Sequence, residues 1–208
     1  MRSIKFLLIV FIQILIAGCA GVGVVETSDP LTKLNDAEHL FQNQDRPLIA
    51  ERLIREATAI YDERQDFLGL GHAHREYADL LLSPSVVKWQ KFYQENGFQD
   101  RTITYENRAE KAKEYYKKAF EYYSQAESKL KAEADYASLT NLYFNMAWAS
   151  FQLEETSRAC EYYESTYNAY NSNITNNPDA KPYIPSGYTS FRALIDAQRN
   201  RVGCEGGI

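Results

Sequence analysis

Between Leu31 and Val202 the apolar side chains recur every three or four residues, and no stretch shows the strict apolar and polar alternation of a half-buried strand. Such a chain buries its apolar residues by setting helix against helix. Leu34, Ala37 and Phe41 form one stripe, which ends in the polar break Asn43 to Arg46, and Pro47 suits the first turn of the next helix. Leu53, Ile54, Ala57 and Ile60 form the second stripe. Phe67, Leu70, Tyr77, Leu80 and Leu81 form the third, which stops at Ser83-Pro84-Ser85. A long fourth runs through Ala109, Ala112, Tyr116, Ala119 and Tyr123. Leu142, Met146, Ala149 and Leu153 make the fifth, and Ala159, Tyr163, Thr166 and Tyr170 the sixth. A proline-containing loop, Asn171 to Gly187, precedes a last amphipathic helix over residues 188–202, with Phe191, Leu194, Ile195 and Val202 on one side. The expectation is an all-α fold in one domain over residues 31–208, long enough to bury a core.

Within the stripes a small residue, a large one four later and a small one three beyond recur as Ala50/Ile54/Ala57, Ala112/Tyr116/Ala119 and Ala159/Tyr163/Thr166. Those offsets put the small residues at a helix crossing and the large one in the neighbouring groove. A second pattern, Phe67-x2-Leu70-Gly71-x2-His74, returns more weakly as Tyr143-x2-Met146-Ala147-x2-Ser150. Together they resemble the tetratricopeptide signature, W-x2-L-G-x2-Y in one helix and A-x3-F in the next, over about 34 residues. The resemblance implies a TPR-like stack of about three antiparallel helix pairs across Leu31 to Tyr170, with the last helix capping the open end. The spacing departs from the family. Gly71 to Ala112 is longer than one unit allows, the excess falling in an irregular insertion at 83–105, and lengthened helices around Lys129 to Tyr136 displace the third unit. The family's ligand-binding positions are therefore not carried over.

The N-terminal segment reads differently. Arg2 and Lys5 precede the apolar run Phe6 to Ile16, and Ile16-Ala17-Gly18-Cys19 closes it. Basic, apolar and small-residue regions in that order form a secretory signal, and the cysteine after Ala-Gly resembles a bacterial lipobox. The resemblance implies removal of residues 1–18 and lipidation of Cys19. An uncleaved anchor is the rival reading, because Phe6 to Val25 approaches the ~20 residues that cross a bilayer. Gln13 and the glycines Gly18, Gly21 and Gly23 count against it, each glycine costing about 1 kcal/mol in a helix. Two or more acyl chains give stable attachment. By the family's sorting rule, Ala20 rather than aspartate after the cysteine implies the inner leaflet of an outer membrane, facing the periplasm, in a Gram-negative envelope. Residues 19–30 form a short lipidated tether.

Losing Arg2 and Lys5 with the signal moves the formal charge from −5 to −7. An acidic body argues against nucleic acid. With Cys19 lipidated and an oxidising compartment around the body, Cys160 and Cys204 are a candidate disulfide, the alternative being two separate buried thiols. Such a bridge would contribute roughly 4 kcal/mol in the chain-entropy model.

Catalytic chemistry is not legible. The chain has no Gly-rich phosphate loop and no G-x-S-x-G elbow. His72 and His74 lie two apart and do not share a helix face, and His72 with Glu76 gives only two ligands, so no metal or other cofactor is expected. The sixteen tyrosines suit either a partner surface or the broad grooves of a helical solenoid. In the insertion, Trp89, Tyr93, Phe98 and Tyr105 are candidate partner-binding residues, and the other account has the segment folded over the hairpin to cover its core. The expected function is non-enzymatic: a lipid-anchored scaffold or adaptor that binds a protein or peptide, with no small-molecule substrate inferred. The alternative is a periplasmic immunity lipoprotein against a type VI secretion effector such as a lipase. A Cys19→Ala chain is expected to lose both acyl labelling and membrane attachment, measured by metabolic labelling with a fatty acid and by membrane fractionation.

Overall fold

A computed structural model describes residues 26–179 and 184–205. Among them are nine helices and no strand. In chain order the helices are α1 Pro30–Asn43, α2 Pro47–Glu63, α3 Phe67–Leu82, α4 Pro84–Lys88, α5 Gln90–Asn96, α6 Arg108–Ala132, α7 Tyr136–Gln152, α8 Thr156–Asn176 and α9 Phe191–Val202. The predicted signal 1–18, Cys19 and the tether up to Val25 lie outside the described residues. No described helix is long and apolar enough to cross a membrane.

The helix starts are written locally. Asp29, Asp66 and Asp135 accept hydrogen bonds from the backbone N–H three residues on, at 2.9, 2.9 and 3.0 Å, and Pro30, Pro47 and Pro84 occupy first-turn positions. Ser190 caps α9 in the same way, so that helix begins at Phe191 rather than at 188. At the other end of α8, the expected loop from Asn171 is helical to Asn176. Thr175 and Asn176 bond back to the carbonyls of Asn171 and Ser172, one turn up, at 2.9 and 2.7 Å.

The helices stack in pairs: α1 with α2, α3 with α6, and α7 with α8, and α9 lies on α8. The helix-crossing pattern of the sequence is the core of this stack. Ala50, Ala57, Ala112, Ala119, Ala159 and Thr166 are fully buried, with Ile54, Tyr116 and Tyr163 between them also buried. Phe67 and Ala109, expected on the buried stripes, sit in the first turns of α3 and α6 and stay exposed.

Two glycines set how close the central helix lies to its neighbours. A Cβ on Gly71 would stand 2.5 Å from the ring of Tyr123 on α6, and one on Gly69 would stand 2.0 Å from Tyr61 on α2. The tyrosine rings thus rest on the α3 backbone, a contact that a side chain would block.

Four interhelix turns reuse one backbone device. Asp45, Gln65, Ala134 and Glu154 adopt left-handed φ of 52, 51, 54 and 66° between helices. In three of them the bonds are the same. The residue after the left-handed one donates to a carbonyl five back, as in Asp66 to Tyr61, Asp135 to Leu130 and Glu155 to Ser150, at 3.0, 3.0 and 2.9 Å. Only the repetition of geometry reveals the turn, because none of these positions is glycine.

Residues 83–107 interrupt the second pair. Ser83 caps α4, the chain breaks helix at Trp89, and α5 ends at Gly97 with φ 68°. The segment folds back over the first pair. Val86, Tyr93, Phe98 and Ile103 are buried and join the core cluster of α1, α2 and α3. Buried Glu51 on α2 ties it down, one carboxylate oxygen accepting from Tyr77 Oη and from the Gln99 N–H, both at 2.7 Å. Burial holds this carboxyl above the usual range, against the two hydrogen bonds that favour its charge.

Gly71→Ala is expected to lower stability by about 1–3 kcal/mol through overpacking on Tyr123, despite alanine's higher helix propensity. Ala134→Gly is expected to raise it by about 1 kcal/mol by relieving a left-handed alanine. Thermal and denaturant melts of the two variants check both signs.

Candidate functional site

The first members of the pairs, α1, α3 and α7, lie side by side, α3 touching both of the others. Their shared face holds two adjoining cavities of about 790 and 450 Å³, and Glu38, Arg75 and Asn145 line both. The larger cavity continues past Trp148 to Arg201 on α9, and the smaller one reaches the start of α3 at Asp66 and of α7 at Ser138. The two cavities lie side by side across the stack as one polar groove surface, with Arg75 bordering both.

Arg75 is held from two sides. One terminal nitrogen of its guanidinium donates to Glu76 and the other to Asp79, and Tyr116 Oη from α6 also donates to Asp79. A third donor, Trp148 Nε1 of α7, reaches Asp79 at 2.9 Å. One carboxylate therefore joins three helices through charge-assisted bonds. Burial disfavours the Arg75 charge, but Glu76 and Asp79 more than offset it and its pKa stands above the ordinary value. Glu76 is 2 % exposed, and its carboxyl is raised by burial and by the charges of Asp79 and Glu38, against the pull of Arg75. Its Oε1 accepts no hydrogen bond.

His72 and His74, two apart in the sequence, face different surroundings. His72 lines the smaller cavity, and its Nδ1 lies 3.0 Å from Tyr123 Oη. Burial, with the Arg75 charge, pushes its pKa down to about 3. His74 stacks on Tyr122, centroids 5.2 Å apart, in a separate cavity of about 500 Å³ lined by α2, α3 and α6. Burial, with Lys118, pushes it down to about 4. Among the described residues no three His, Cys, Asp or Glu side chains are grouped to hold a metal ion.

The candidate partner-binding residues of the insertion separate into two kinds. Tyr93 and Phe98 stack at 4.2 Å and are each 1 % exposed, and Tyr105 is buried under the Arg108 guanidinium. These three cover the core and offer no ring to a partner. The physical reason is that α1 and α2 leave an apolar flank that their own pairing does not close. Trp89 alone is exposed, at 37 %, with its indole N–H donating to the Asp45 carbonyl.

Cys160 and Cys204 form a disulfide, Cα atoms 5.7 Å apart. It fastens the end of α9 to α8, and Arg199 adds a bond to the Cys160 carbonyl at 3.1 Å. That fastening sets the helix whose Arg201 closes one end of the groove. Cys19 is outside the described residues.

Sequence reasoning passed over the groove's central cluster. The available signal was local: Arg75, Glu76 and Asp79 stand at i, i+1 and i+4 in the largely apolar Phe67-to-Leu82 segment, where unpaired charge is costly.

Fold and site define an all-α, helical-repeat-like protein with a polar groove across the first helices of its pairs. Comparison with known families, characterised proteins and solved structures finds no match for the chain.

Both histidines are neutral in the fold and bind protons near pH ~6.5 when unfolded. Between those values the unfolded chain holds more protons, so their contribution is complete above about pH 6.5 and is lost as pH falls toward 4 and then 3. Melting temperatures from pH 7 to 4 are expected to fall less steeply in His72→Gln, His74→Gln protein than in the parent.

Proposed function

We propose that this chain is a lipid-anchored, periplasm-facing scaffold of the cell envelope, related in design to tetratricopeptide proteins, that holds a segment of a protein partner in the groove of α1, α3 and α7. The groove carries the reading. Its two cavities adjoin along Glu38, Arg75 and Asn145, and it is floored by side chains that Asp79 fixes in place before any ligand arrives. Preorganised walls reduce the ordering cost of binding, and a polar groove with apolar stretches matches an extended peptide's backbone and side chains. Asn141 and Asn145 present amides along one wall, spaced by one helical turn. Leu82 and Trp148 supply apolar contact along the larger cavity.

Membrane attachment rests on Arg2, Lys5, the Phe6 to Ile16 run and Cys19. A tether of only residues 19–30 would keep the groove near the bilayer.

A photo-crosslinking residue placed at Asn145 in the full lipidated chain is expected to capture a partner in its native membranes, whereas one at exposed Lys117 on α6 is not. Asn141→Trp should abolish that capture without changing the melting temperature. Equal capture from both positions, or capture that survives Asn141→Trp, would remove the groove from consideration.

A further inference from the structure

The smaller of the two cavities is unbalanced in charge. Glu38 from α1, Asp66 at the start of α3 and Glu76 within α3, the last with its pKa raised by burial to about 8, line it against the single guanidinium of Arg75. That guanidinium is already divided between Glu76 and Asp79. Asp66 spends one oxygen capping Gly69, and Glu38 accepts from Gln42 at 3.1 Å, a bond on the helix surface. His72 is neutral and supplies no charge.

An independent observation concerns Glu76. At 2 % exposure its Oε1 is buried with no donor, a condition that costs free energy wherever it occurs in a protein interior. A cationic donor would satisfy that oxygen and favour the ionised carboxyl, and Glu38 and Asp66 add negative charge to the same space. The apolar part of the lining is as specific. Leu31, Leu34 and Leu68 border the same space, a surface suited to a methylene stem whose charged head lies beyond it.

We propose that this cavity receives a lysine or arginine side chain of the segment bound in the groove, its alkyl stem on Leu31, Leu34 and Leu68 and its head between Glu38 and Glu76. The inference rests on the groove reading above and adds the chemistry of the partner. Glu38, Arg75 and Asn145 border both cavities, so a segment in the larger one lies directly beside this one. A segment lying along the groove can therefore drop one residue into it while its neighbours contact Leu82 and Trp148.

Trp148 provides the readout, because Trp89 is the other tryptophan of the chain and lies away from the groove. In full-length lipidated protein carrying Trp89→Phe, Trp148 fluorescence is titrated with three capped nonapeptides of alanine and asparagine. They bear a central lysine, norleucine or glutamate, and free lysine amide is a fourth probe. The lysine peptide is expected to bind at least tenfold more tightly than the norleucine peptide. Glu38→Gln, on a partly exposed side chain, should cut that preference to threefold or less, and Glu76→Gln should do the same if it folds. Equal affinity for the lysine and norleucine peptides, or a preference untouched by Glu38→Gln, overturns the cationic pocket and leaves the groove reading standing. Free lysine amide binding as tightly as the peptide overturns it in favour of a small-amine site. No response of Trp148 to any peptide removes the groove reading and this inference together.

Discussion

Everything in this stack is arranged around the close approach of two tyrosine rings to the backbone of α3. Tyr61 from α2 lies over Gly69 and Tyr123 from α6 lies over Gly71, each where an ordinary side chain would stand. The central helix is thereby gripped by the second members of two successive pairs. Its remaining face turns toward α1 and α7, and that face carries Arg75, Glu76 and Asp79. The groove is what the tyrosine and glycine packing leaves open. The same packing removes His72 from water and keeps its ring neutral against Tyr123.

Tyrosine does a second job throughout the molecule. Four of its hydroxyls donate to carboxylates on other helices or in the insertion: Tyr77 to Glu51, Tyr115 to Asp100, Tyr116 to Asp79 and Tyr143 to Glu127. A ring contributes apolar area to the core while its hydroxyl satisfies a carboxylate that burial would otherwise penalise. The insertion depends on two of these links, through Glu51 and Asp100. It closes the flank of the first pair, as the buried stack of Tyr93 on Phe98 shows. The abundance of tyrosine is thus largely explained by internal structure, and the groove's aromatic lining adds Phe41, Phe144 and Trp148 to Tyr61 and Tyr116.

Helix positions were legible because they depend on neighbours three and four residues apart. The small-large-small triplets mark the crossings, and all nine of their residues are buried or nearly so. Cys160 and Cys204 form the bridge that the sequence offered as one of two alternatives, although spacing alone left two free thiols open. The candidate site was less legible. Trp89, Tyr93, Phe98 and Tyr105 are equally aromatic in sequence, yet only Trp89 remains at the surface, since burial is decided by where α1 and α2 leave a gap.

The sequence by itself determined the helical period, the caps at Asp29, Asp66, Asp135 and Ser190, and the small residues that allow helices to meet. These are local matters, settled within one or two turns of chain. Tertiary structure alone decided the left-handed turns at Gln65, Ala134 and Glu154, where no glycine announces them and packing of the flanking helices holds the strain. It also decided the groove. Glu38, Arg75, Asn145 and Trp148 come from three helices far apart in the chain, and they share a surface only because each helix has spent its other face on its pair.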